Sequence, residues 1–282
     1  WQKWLSAAIS IALLIAILAQ FDRIGLGRLR QAIPAAPGFW LALAAYYLAL
    51  PASEWLIYRR LWQLPALAGF AALLRKLVSN EVLLGYSGEV AFYAWARNRS
   101  RLTNAPFGAI KDVSVTSALA GNIATLAMIV IAWPHLQALN LAIMPRHLAW
   151  SIAAVLAITA AIGFWRGRIF SLPPRDLGFV LRIHLLRVTA TTVLSALLWH
   201  FALPAVGLSV WILLAALQLL VTRLPFVPNK DLVFATATLL LVGETSRIGV
   251  MIALVATLIL AAHLIIGAAL AIVDLFDTAA SA

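Results

Sequence analysis

The chain has 282 residues, of which 64% are hydrophobic and 11% charged, with no cysteine and a formal net charge of +11. Soluble domains carry about 25% charged residues, so this surface is not made for water. Disulfides, thiolate metal sites and cysteine nucleophiles are excluded. A mean hydropathy of +0.98 points to lipid as the solvent. The Arg and Lys residues lie mostly between apolar runs, which suits anionic headgroups and not nucleic acid.

A spanning helix needs about 20 apolar residues. In chain order the continuous candidates are 4–20, 39–57, 113–133, 148–165, 184–203, 208–224 and 248–273. The first run lacks a signal-peptide cleavage site and is expected to stay as a span. Pro34 and Pro37 precede the second run, Pro134 and Pro145 bracket the loop after the third, and Pro204, Pro225 and Pro228 punctuate the later ones. Trp4, Trp40, Trp133, Trp150, Trp165 and Trp211 sit at run ends, where an amphipathic ring favours the membrane interface. Backbone groups in lipid must be satisfied internally, so the runs are expected to be helices. Alternating ten-residue strands, the signature of a barrel, are missing.

Two regions depart from this pattern. Residues 77–98 are apolar but interrupted between Gly85 and Gly88, and they carry Glu81 and Glu89. Residues 223–247 hold Pro225 and Pro228, then Asn229, Lys230 and Asp231, then a short apolar run. Short, Gly- or Pro-interrupted apolar pieces point to broken or re-entrant helices. Plain interfacial loops followed by amphipathic helices are the alternative. The expected fold is therefore an all-α polytopic transmembrane bundle of about six to seven spans with one or two re-entrant or broken helices. It forms one membrane domain over residues 1–282, with pseudo-repeat halves at 1–133 and 148–282.

The loops at 97–111 and 166–182 are basic and are expected on the cytoplasmic side, and 134–147 on the outer side. Arg23, Arg28 and Arg30 compete with Arg59, Arg60, Arg75 and Lys76 for the inner side, which leaves the first spans unoriented.

An ionisable residue inside a membrane is a functional hypothesis by default. Glu89 follows the Gly88 break, where it can bind a cationic group or a proton, or serve as a helix-start carboxylate favoured by the dipole. Arg97 lies two turns further on. Lys230 stands at the second break, where it can attract a lipid phosphate, and Asp231 beside it is placed to cap the next helix. Arg187, inside a run, and Arg223 are expected to guide an anionic headgroup, and Arg187 can also snorkel as an interface anchor. Asn122, Gln218 and His200 read as interhelical hydrogen-bond partners. No Walker A loop, G-x-S-x-G, H-E-x-x-H or dinucleotide fingerprint occurs, and the five histidines have no metal-ligand spacing. Neither catalysis nor a metal or other cofactor is expected.

Several of these features together resemble the lysylphosphatidylglycerol synthase transmembrane-region family, often called flippase-like. The matching residues are Ile24-Gly25-Leu26-Gly27-Arg28-Leu29, the basic pair Arg59-Arg60, then Asn80, the Gly85 turn, Gly88-Glu89 and Arg97, and late in the chain Pro225-Phe226-Val227-Pro228. The family's Pro-Gly-Gly-Leu-Gly is replaced here by Pro228-Asn229-Lys230-Asp231-Leu232. The Glu that usually follows has no counterpart, since Ala235 stands there, and the family's Glu-Arg…Asp is missing around Ser117 to Asn122. The resemblance implies movement of a lipid between leaflets. The leading expectation is a lipid translocase of the bacterial inner membrane that binds an anionic phospholipid or polyprenyl-phosphate headgroup at Glu89, Arg97, Lys230, Arg187 and Arg223. The rival is a non-transporting membrane subunit that anchors a partner complex. The expected partners are membrane lipids, with a second copy or a membrane subunit as further candidates.

Overall fold

Pro37 and the extended Ala36 before it set up the first described helix. The computed structural model describes residues 34–98, 106–138, 166–223, 229–242 and 247–280, with single residues at 153, 157, 159 and 160. Helix α1 runs from Pro37 to Trp62. Proline in a first turn costs no hydrogen bond, because that N–H has no helical partner. The helix ends where Gln63 turns left-handed (φ 52°) and donates its N–H to the Arg59 carbonyl. Arg59 and Arg60 occupy the last turn, at the negative end of the helix dipole. Pro51 lies inside the helix and leaves the Tyr47 carbonyl without its helical donor.

A helical hairpin follows, α2 (Ala66–Val82) and α3 (Ser87–Asn98). With 17 and 12 residues, the arms are about 26 and 18 Å long, short of a hydrocarbon core of about 30 Å. Tyr86 makes the turn with φ 72°. Across it, the Ser87 hydroxyl donates to the Ser79 carbonyl (2.8 Å) and the Gly88 N–H to Asn80 Oδ1 (2.7 Å). The interruption expected between Gly85 and Gly88 is therefore present, and its first arm reaches back to Ala66.

Three further long helices follow: α4 (Pro106–Ala138), α6 (Pro174–Ala202) and α9 (Arg247–Ala280). Together with α1 they are the four described helices long and apolar enough to cross a membrane. A single turn, α5 (Arg166–Ile169), precedes α6, while α7 (Leu208–Thr222) and α8 (Lys230–Val242) lie between α6 and α9. The chain is an all-α membrane protein, with no strand among the described residues.

The 208–224 run does not make a full span. Its helix α7 starts where the run does, at Leu208, and has 15 residues, about 22 Å, because the chain turns at Arg223. The runs at 4–20 and 148–165 lie outside the described residues, the four single positions aside, as do the Ile24–Leu29 segment and Pro225–Pro228. Trp211 is also no interface anchor. It is 2% exposed and packs with Trp199 and Phe234 in the core shared by α1, α6, α7, α8 and α9.

The hairpin is wedged into the bundle on two sides. An aromatic cluster of Tyr58, Trp62 and Phe92, backed by Trp95, joins it to α1, α4 and α6. On the other side Val78 and Val82 pack on Leu260 and Leu264 of α9. Rings of this kind bury large areas in preferred offset geometries, which fastens the hairpin to the bundle.

The basic segments share one end of the bundle. The buried Asp112 accepts the Ser171 and Leu172 N–H groups at 2.6 and 2.7 Å, and Lys111 donates to the Ile169 carbonyl. Arg60 pairs with Asp176 (3.4 Å) and stacks over Phe179. Arg59 and Arg60 therefore lie with the 166–182 loop, while Arg23, Arg28 and Arg30 lie outside the described residues. Lys76 takes no part in this basic end, since it is buried between helices.

Candidate functional site

The two broken elements and four long helices surround a cavity of about 370 Å³. Its charged wall consists of four cations, Lys76, Arg187, Arg223 and Lys230, and four carboxylates, Glu54, Glu81, Glu89 and Asp231.

The carboxylates have their own partners. Lys76 Nζ lies 2.5 Å from Glu54 Oε1 and 3.3 Å from Glu89 Oε1. This triad ties both hairpin arms to α1, beside the Pro51 interruption. Asp231 accepts from the Tyr46 hydroxyl (3.2 Å) and from Gln218 Nε2 (3.4 Å). Glu81, on the first hairpin arm, faces the backbone amides of Asn229 and Lys230 at the start of α8. That carboxylate links the tips of the two broken elements, at a helix end where negative charge is favoured. Tyr47, one residue from Tyr46, bonds His263 Nδ1 on α9 (3.0 Å).

The cations other than Lys76 are arranged differently. Arg187, on α6, donates to the Ser117 hydroxyl of α4 (3.1 Å). Arg223 donates to Thr222 Oγ1 (2.8 Å) and reaches the Ala118 carbonyl (3.4 Å). Lys230 donates to the Thr222 carbonyl (3.0 Å). Among the described residues, no carboxylate oxygen lies within 4.0 Å of any of the three. Arg223 also feels the like charge of Arg187. Neutral oxygens satisfy some of their N–H groups, and carboxylates act on them only from beyond contact distance: Glu54 on Arg187, and Glu81 and Glu89 on Lys230.

Of the sequence-predicted site residues, the structure brings Glu89, Arg187, Arg223 and Lys230 to one cavity. Arg97 does not join them. It lies exposed at the far end of α3, because the eight residues after Glu89 carry it two turns away from the tip. Asp231 is not the cap of α8 either. Asn229, with φ 50°, accepts the Leu232 N–H on its side-chain oxygen (3.2 Å) and does that work, which frees Asp231 for Tyr46. The cationic partner of Glu89 is the internal Lys76. Gln218 makes the expected interhelical bonds, and Asn122 reaches Thr159 (3.4 Å). Sequence reading missed Glu54 and Lys76. The usable signal was a lone carboxylate inside the 39–57 run, which is costly enough in lipid to demand a buried partner.

Gly121 sets the position of Arg223. A Cβ there would overlap the guanidinium, whose flexible side chain can move away without disturbing the backbone. Gly121→Ala is therefore expected to leave the melting temperature nearly unchanged and to weaken anion binding in the cavity by roughly tenfold, the worth of a charged hydrogen bond. A titration of purified protein with a short-chain anionic lipid checks this, and unchanged affinity would contradict the placement of Arg223 at the site.

Comparison with protein-family models, curated proteins and solved structures finds no match. The likeness to the flippase-like family therefore rests on the motif residues alone.

Proposed function

We propose that the chain is a flippase-like lipid translocase, not an enzyme, and that its cavity takes the anionic headgroup of a phospholipid or polyprenyl-phosphate lipid. The supporting observation is the trio Arg187, Arg223 and Lys230, which lines one cavity with no carboxylate within 4.0 Å among the described residues. Buried charge without a counter-charge in contact is expensive, and a phosphate entering the cavity would place one against all three. The planar guanidinium forks match phosphate oxygens bidentately, while Lys230 adds a point charge. Lys230 also stands in the first turn of α8, where the helix dipole favours an anion. The volume falls near the low end of the about 300–1,000 Å³ usual for ligand pockets. That is room for a headgroup, with the tails left in the membrane.

Two broken elements meeting at a charged site, with long helices around them, is the arrangement expected of a carrier that exposes one site to either side in turn. The shared basic end fits the cytoplasmic face of a bacterial inner membrane under the positive-inside rule.

A leaflet-transfer assay in proteoliposomes with a fluorescent anionic phospholipid tests the proposal. The double variant Arg187→Gln/Arg223→Gln should slow transfer by roughly tenfold or more, from the loss of two charged contacts. Transfer at the wild-type rate in that variant would remove the cavity from the path. Wild-type protein that moves no lipid but purifies with a stoichiometric membrane subunit would support the anchoring role instead.

A further inference from the structure

Resting on that reading, we infer that the headgroup must present a hydrogen-bond donor, an amine or a hydroxyl, beside its phosphate, and that Glu89 receives it. Three side-chain atoms on the cavity residues are buried with no hydrogen-bond partner: Arg187 Nε, Ser114 Oγ and Glu89 Oε2. Folded proteins leave few such atoms, and each calls for an explanation. Three around one cavity describe a surface that something else completes.

The three atoms ask for opposite chemistry. Arg187 Nε can only donate and the Ser114 hydroxyl is able to, so phosphate oxygens satisfy both. A carboxylate oxygen accepts, and it repels phosphate. No side-chain donor bonds Glu89 Oε2. Lys76, the nearest cation, already sits 3.3 Å from the other Glu89 oxygen and 2.5 Å from Glu54. A phosphate without a donor group would leave Glu89 bare and bring a second negative charge into the cavity. A quaternary ammonium brings charge but no N–H. Only a group carrying N–H or O–H fills both halves of the site.

The test varies the ligand first, so that it does not depend on a mutant folding. Wild-type protein is reconstituted in bilayers of equimolar phosphatidylglycerol, phosphatidylethanolamine, its N-methyl and N,N-dimethyl forms, and phosphatidylcholine, all with the same acyl chains. Lipids retained after extraction are counted by mass spectrometry. Retention should hold through the dimethyl form, which keeps one N–H, and fall by about tenfold at the trimethyl form, the worth of one hydrogen bond to a charged group. Enrichment of phosphatidylglycerol would add hydroxyl as an accepted donor, and its absence would restrict the site to amines. Glu89→Leu should level the series. Equal retention of all five lipids, a smooth decline with each added methyl, or a series unchanged in Glu89→Leu would overturn the inference. Those results leave the phosphate reading intact as long as Arg187→Gln/Arg223→Gln still strips every lipid. Retention indifferent to both arginines and headgroup would sink the two together.

Discussion

Lys76→Met is expected to destabilise the protein by on the order of 3 kcal/mol, the cost of removing one partner from a buried ion pair. The Lys76 and Glu54 side chains are only 4% and 8% exposed, so water cannot replace the missing ammonium. Glu54 and Glu89 would then face each other across the gap, with nothing between them to offset their charge. Methionine fills most of the lysine volume, so the loss is one of charge and not of packing. Thermal melting in detergent, followed by tryptophan fluorescence, measures it. Adding Glu54→Gln and Glu89→Gln to Lys76→Met should recover much of the loss, because an uncharged site needs no counter-ion. Wild-type melting of the single variant would mean that the triad does not hold the hairpin to α1.

Gly88→Ala is the second large effect. A Cβ at Gly88 would overlap the Lys76 carbonyl and come within 2.8 Å of Asn80 Oδ1. The carbonyl belongs to the backbone of α2, so relief requires the hairpin arms to separate. Separation breaks the Gly88–Asn80 bond and strains the Lys76 triad one turn away. Overpacking of this kind costs typically about 1–3 kcal/mol, and the lost bond about 1 more. Gly88→Ala should melt well below wild type and expose the turn at residues 84–86 to protease. Asn80→Ala, which removes the bond without the collision, should lie between the two. Equal stability of Gly88→Ala and wild type would mean that the two arms are not in close contact.

Gly88 falls in a region that the sequence already marked, while Lys76 stands one residue before it. The interruption at Gly85–Gly88 was legible because apolar residues too few to span were joined by glycine and carried carboxylates, a combination with little use in a plain span. Arg187 and Lys230 were legible because isolated charge within or beside an apolar run is expensive. What pairs with what was hidden. Glu54 and Lys76 lie 22 positions apart on different helices, and Tyr46 and Asp231 lie 185 apart. No local period records such contacts. Local rules also assigned the cap of α8 to Asp231. They could not see that Tyr46 and Gln218 would claim its carboxylate, leaving Asn229 in a left-handed turn to close the helix. The length of α7 was hidden for another reason. Leu224 extends the apolar run beyond Arg223 in the sequence, while the helix stops at Thr222. The two-turn separation of Arg97 from Glu89 was legible from helix geometry, and it leaves Arg97 outside the cavity.

The trio of cations with no carboxylate in contact carries the functional account, and it can be tested without knowing the lipid. Purified protein is extracted under mild conditions, and the lipids that remain bound are identified by mass spectrometry. Wild type is compared with Arg187→Gln/Arg223→Gln and with the bulk membrane. One class of phosphate-bearing lipid enriched over the membrane in the wild type, and lost in the double variant, is the predicted result. A lipid profile that matches the bulk membrane in both proteins would contradict it.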